Sequence, residues 1–124
     1  MTFYRMAEKH LRPGGALVTQ ATSPLYTRDA FWCIVGTRQA AGFRTTPYHV
    51  FVPSFGDWGF AMMTRAPVDF AHLVIPQSTR FLRPATLSAL VRFGADASSV
   101  PTDPNTLDRP TLIRYYEHSV ARWN

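Results

Sequence analysis

Cysteine, lysine and long apolar runs are all scarce in this chain. Its single cysteine, Cys33, excludes an internal disulfide and any zinc site built from several cysteines, so stability has to come from packing. Lys9 is the only lysine among thirteen basic residues, and the twelve arginines are spread from Arg5 to Arg122 without a cluster. A phosphate-binding face normally gathers basic residues among exposed aromatics, so the net charge of +5 does not by itself imply a nucleic-acid partner, and none is expected. No apolar stretch approaches the roughly 20 residues that a membrane-crossing helix needs. The first ten residues hold no apolar signal-peptide core, which makes the cytoplasm the expected compartment. His10, His49, His72 and His118 show no metal-ligand spacing, and no metal is expected. Internal repeats and low-complexity segments are lacking too.

What is present suits a packed α/β unit. The chain has 124 residues, 46% of them hydrophobic and 14% aromatic, enough for one globular domain. Residues Phe3 to Leu11 read as a helix with Phe3, Met6 and Ala7 on one side, stopped by Pro13-Gly14-Gly15. Ala16 to Gln20 is short and apolar, the pattern of a parallel strand covered on both faces. Gln20 leaves that strand at its carboxyl end, where open α/β sheets bind ligands, and is a site candidate. Thr27 is a potential cap for the next helix, whose apolar residues Ala30, Phe31, Ile34 and Val35 recur until Gly42.

Phe43 to Val52 alternates with a period of two, so Pro47 belongs near the strand's start or on a sheet edge. A turn over Pro53 to Trp58 leads into a strand from Gly59 to Thr64, which implies an antiparallel hairpin. The order helix, strand, helix, strand, strand, with a right-handed crossover first, is the closing portion of a Rossmann-like sheet. Pro67 to Pro84 reads as irregular, Pro84 to Phe93 as a short helix and Gly94 to Asn105 as a loop. A last helix opens at Asp108-Arg109-Pro110 and carries a stripe of Leu112, Tyr116, Val120 and Trp123, expected to dock on the sheet or on another chain.

Leu11-Arg12-Pro13-Gly14-Gly15 through Gln20, Ala30-Phe31-Trp32, and Tyr48-His49-Val50-Phe51-Val52-Pro53-Ser54-Phe55-Gly56-Asp57-Trp58-Gly59-Phe60 together resemble the C-terminal half of spermidine synthases, the polyamine aminopropyltransferases. The likeness is to the bacterial branch whose enzyme domain follows membrane helices. Arg80 to Leu87, Asn105 to Asp108 and Tyr115-Tyr116-Glu117 are similar to that branch's tail. The resemblance implies a class I methyltransferase-type Rossmann-like fold, here as strand-helix-strand-strand. Residues 1–66 would form a partial aminopropyltransferase domain, and residues 67–124 a C-terminal extension with two short helices.

It also implies transfer of an aminopropyl group from decarboxylated S-adenosylmethionine to putrescine. That displacement needs a deprotonated amine, a carboxylate to hold it and an aromatic wall around the sulfonium. The resemblance places the nucleotide loop, the ribose-binding acid and the catalytic Asp ahead of Met1. The chain is therefore expected to hold no catalytic residue, to bind no cofactor alone and to be inactive alone. By motif position, Gln20, Phe55, Asp57 and Trp58 are the implied substrate-binding residues. Two other readings are a non-enzymatic module that oligomerises, or joins an N-terminal half, through the exposed edge of Ala16 to Gln20, and a small basic RNA-binding α/β domain.

Overall fold

A computed structural model describes residues 2–70, 73–76, 79–80, 82–106 and 108–123. His72 lies outside the described residues, as do Phe81 and Leu107 of the tail similarity. The elements run α1 (Thr2–His10), β1 (Ala16–Gln20), α2 (Arg28–Ala40), β2 (Arg44–Val52), β3 (Gly56–Thr64), α3 (Pro84–Leu90) and α4 (Thr111–Ala121). The chain is thus α/β, with three strands in the order β1-β3-β2.

Both ladders are antiparallel, with Thr19 opposite Ala61 and Tyr48 opposite Phe60. β1 and β2 run the same way because each opposes β3, which lies between them. The expectation of a parallel, doubly covered β1 is therefore corrected. Ala16, Val18 and Gln20 are exposed while Leu17 and Thr19 are half-buried, so β1 is covered on one face only. Its apolar composition resembles a buried parallel strand because Val18, 44% exposed, has nothing packed over it from this chain.

The register also settles which way the backbone points. Gly59 exchanges hydrogen bonds with the end of β1, its carbonyl accepting from Ala21 and its N–H donating to Thr22. Alternate residues of a strand point their amides the same way, so Ala61 and Met63 also face β1, while Trp58, Phe60 and Met62 face β2. Pro47, opposite Ala61, consequently turns its nitrogen to the open edge of β2, where no ladder donor is lost. On the other side of the sheet, Ala16, Val18 and Gln20 turn their backbone groups to the open edge of β1.

The core sits between β3 and α2. Ala21, Phe31, Trp32, Val35 and Ala61 form its centre, with Ile34, Phe93 and Val100 packed around them. Trp32 donates its indole N–H to the Ala97 carbonyl at 3.0 Å, which ties the loop after α3 to α2. Gly59 permits the close approach of sheet and helix. A Cβ there would lie 2.5 Å from the Phe31 ring and 2.9 Å from the Thr22 carbonyl oxygen. Gly59→Ala is expected to lower the unfolding free energy by about 3 kcal/mol, measured by urea titration, because neither neighbour has room to retreat.

Three helical details depart from the sequence reading. Thr27 does not cap α2 with its side chain; its hydroxyl instead donates to the Ser23 carbonyl and accepts from the Ser23 N–H. On α1, Phe3 and Met6 are 65% and 61% exposed, while Ala7 is half-buried as expected and Tyr4 joins it, its ring 4.9 Å from the Arg38 guanidinium. α4 packs on α2 through Thr111 and Ser119, which leaves Tyr116 and Trp123 of the expected docking stripe largely in solvent. Small hydroxyl residues allow the two helices to approach closely, a signal that apolar periodicity does not register.

Candidate functional site

A cavity of about 320 Å³ lies at the hairpin end of the sheet, lined by Gln20, Val52, Phe55, Trp58 and Phe60. Strand alternation explains the grouping. Gln20 opposes Phe60, and Trp58 is two residues from Phe60, so all three side chains project from the sheet face that the α2 core leaves open. Val52 continues the same face from β2. The turn over residues 53–55 is tight, closed by the Phe55 N–H on the Val52 carbonyl at 3.0 Å, with φ of 72° at Ser54 and 87° at Gly56. This geometry throws Phe55 outward, 69% exposed, with its ring edge-on to Trp58 at a 6.4 Å centroid distance.

Three of the four substrate-binding residues implied by the sequence therefore meet around one cavity. Asp57 does not join them. It neighbours Trp58 on β3 and so points to the opposite face, where its carboxylate bonds His49 Nδ1 at 2.7 and 2.9 Å. The other ring nitrogen of His49 contacts the Arg92 carbonyl, and the ring stacks on Phe93 at 4.4 Å. This brace ties the hairpin to the segment after α3 and borders a separate cavity with Thr86, Ala89 and Leu90. Val52 and Phe60 were missed by motif reasoning, although their parity with Trp58 and Gln20 was available to find them.

One residue of the cavity wall carries an unsatisfied donor. Trp58 Nε1 is shielded from solvent and has no acceptor among the described residues. An orphaned indole N–H costs about 1–3 kcal/mol unless a partner supplies an acceptor. No residue lining this cavity is titratable, so the wall can enclose and orient a ligand but cannot take up a proton. The end of β1 beside Gln20 is also strained, with Thr22 held at φ 57° and its hydroxyl bonded to that of Thr27. Among the described residues no group of acidic, histidine or cysteine side chains could hold a metal.

Cys33 is buried in α2, its thiol against the Asp103 carbonyl at 3.3 Å. Burial pushes its pKa upward, opposed by hydrogen bonds from Thr111 and Thr37, so a nucleophilic role is not supported. Native protein at pH 8 should leave a disulfide reagent such as dithiobis-nitrobenzoate unreacted, whereas the urea-unfolded chain reacts at once. The sign for stability follows. The folded thiol keeps a proton that the unfolded chain releases, so this contribution is full below the ordinary thiol pKa and is lost as pH rises above it.

No family model matches the chain. Comparison with curated proteins is informative along almost its whole length. It is 38% identical over 122 residues to a polyamine aminopropyltransferase of Leptospira interrogans, covering 98% of this chain and 24% of that protein. It is 43% identical over 119 residues to proteins of the same name from Oceanobacillus iheyensis and Mycobacterium tuberculosis, covering 93% and 94% of this chain and 23% of each relative. The matched part is the C-terminal segment of these proteins. The chain thus spans about a quarter of the length of the curated relatives that it matches. No helix among the described residues is long and apolar enough to cross a membrane.

Proposed function

We propose that this chain supplies one wall of the substrate pocket of a spermidine synthase-type aminopropyltransferase, and that it is inactive alone. The observation that carries this reading is the convergence of Gln20, Phe55 and Trp58 on one cavity that lacks any ionisable side chain. Trp58, Phe55 and Phe60 present aromatic faces suited to cations, which describes both the sulfonium of decarboxylated S-adenosylmethionine and the ammonium groups of putrescine. The Gln20 amide oxygen can accept from an ammonium group at the cavity's rim. The reaction forms a carbon–nitrogen bond as the carbon–sulfur bond breaks, the amine proton passes to a base and the thioether leaves. The base and the nucleoside cradle belong to the segment that the relatives carry ahead of the matched region.

On this reading β1, α2, β2 and β3 are the closing portion of a Rossmann-like sheet, residues 1–66 the partial catalytic domain and residues 67–124 its extension. The join would run along β1. Its open edge offers the backbone groups of Ala16, Val18 and Gln20 with no proline or charge, whereas Pro47 removes a donor from the open edge of β2. That asymmetry supports completion by another strand at β1, from the N-terminal part of an aminopropyltransferase. It also favours the second reading, a non-enzymatic module that pairs with its own copy through the same edge. Incubation of the purified chain with putrescine and decarboxylated S-adenosylmethionine is expected to yield no spermidine; steady formation at enzyme-like rates would refute inactivity alone.

A further inference from the structure

A second groove, of about 420 Å³, lies at the other end of the sheet, lined by Gln39, Phe43, Arg44, Thr45, Thr46, Pro67 and Val68. The sequence forms it by a sharp exit from α2. Gly42, at φ 95°, turns the chain so that Phe43 is buried and Arg44 begins β2 beside the last residues of the helix. Four side chains there carry polar hydrogens and none is acidic. Neither the Arg44 guanidinium nor the Gln39 amide has a hydrogen-bond or ion-pair partner among the described residues. The Thr45 hydroxyl is shielded from solvent and so does not open into the groove. By the register, Thr45 turns its backbone N–H toward the open edge of β2.

A second arginine precedes Gln39 on α2. Arg38, next to Gln39 and only 1% exposed, donates from Nη1 to the Ala61 carbonyl at 2.6 Å, while its Nε lacks an acceptor. No carboxylate pairs with it among the described residues. A fork of guanidinium donors beside hydroxyl and amide groups matches the planar or tetrahedral oxygens of an oxyanion. Phe43, Pro67 and Val68 supply an apolar wall, and the volume exceeds what an inorganic ion fills, so the ligand also needs a carbon body.

We propose that this groove binds a small organic oxyanion, a carboxylate or a phosphate ester, through the Arg44 and Gln39 side chains and the edge-facing backbone N–H of Thr45. The proposal is independent of the hairpin cavity, which suits cations and lies at the opposite end of the sheet. The test is a set of ¹H–¹⁵N spectra of the whole chain titrated separately with inorganic phosphate, glycerol 3-phosphate and butanoate. Saturable shifts are expected at Gln39, Arg44, Thr45 and Thr46, with one organic probe binding about tenfold more tightly than inorganic phosphate.

Tighter binding of glycerol 3-phosphate assigns a phosphoryl ligand, and tighter binding of butanoate a carboxylate. Arg44→Gln should weaken binding about tenfold with the spectrum otherwise unchanged, and Thr45→Pro, which removes the edge-facing N–H without touching the ladder to β3, about threefold. If Arg44→Gln fails to fold, Thr45→Pro decides. The proposal is overturned by an absence of saturable shifts with all three probes, by equal affinity for inorganic phosphate, or by variants that bind as the parent does.

Discussion

Phe31→Ala should lower the unfolding free energy by about 4 kcal/mol, the largest stability loss expected from a single side chain here. Phe31 is fully buried and sits where α2, β3 and the segment after α3 meet. Its ring lies edge-on to Trp32 at 5.0 Å, tilts against Phe93 at 5.8 Å, and fills the space that Gly59 leaves open on β3. Truncation removes an aromatic ring from α2, β3 and the segment after α3 together, and Gly59 has no side chain with which to fill the void. Against a total stability of about 5–15 kcal/mol for an ordinary domain, such a loss brings the chain close to unfolding. Urea denaturation followed by tryptophan fluorescence measures it. A loss under about 1.5 kcal/mol would mean that the sheet and α2 are not packed as described.

Val18→Pro should barely change the stability of this chain yet weaken its association with a completing segment about tenfold. The two effects separate because the Val18 N–H faces the open edge of β1 and contributes nothing to the ladder with β3. One lost backbone hydrogen bond of about 1 kcal/mol, together with the clash of the proline ring against an incoming strand, accounts for the magnitude. The measurement is the affinity of the chain and its variant for the region of the Leptospira relative that precedes the matched segment. Undiminished affinity would move the join away from β1. Thr19→Pro is the contrasting case, since its N–H faces Ala61 and its loss should destabilise the sheet itself.

The elements with a strong local signal were legible in the sequence. The alternation of Tyr48, Val50 and Val52 gave β2 and its faces, and Gly42 marked the end of α2. Pro47 was expected near a strand's start or on an edge, and β2 is an edge strand. Pairing was less legible, because a short apolar strand such as β1 looks the same whether its neighbours are parallel or antiparallel, covered or open. The helix faces failed for a related reason. Phe3 and Met6 on α1, and Tyr116 on α4, follow a helical period, but periodicity identifies an apolar side without telling whether this chain covers it. Motif position grouped Gln20, Phe55 and Trp58, which line one cavity, with Asp57, which does not. The pleat separates neighbours that sequence places together, and only the strand register shows that Asp57 braces His49 on the far face. The groove beside Arg44 had no linear signature, since Gln39 and Val68 lie 29 positions apart.

The most direct test mixes this chain with the preceding region of the Leptospira relative and measures spermidine formed from putrescine and decarboxylated S-adenosylmethionine. The account predicts no turnover by either piece alone, turnover by the mixture, and a drop of about a hundredfold when the chain carries Trp58→Ala, as for loss of a cation-facing aromatic wall and its orienting contacts. Turnover by the chain alone, or a mixture indifferent to Trp58→Ala, would contradict it.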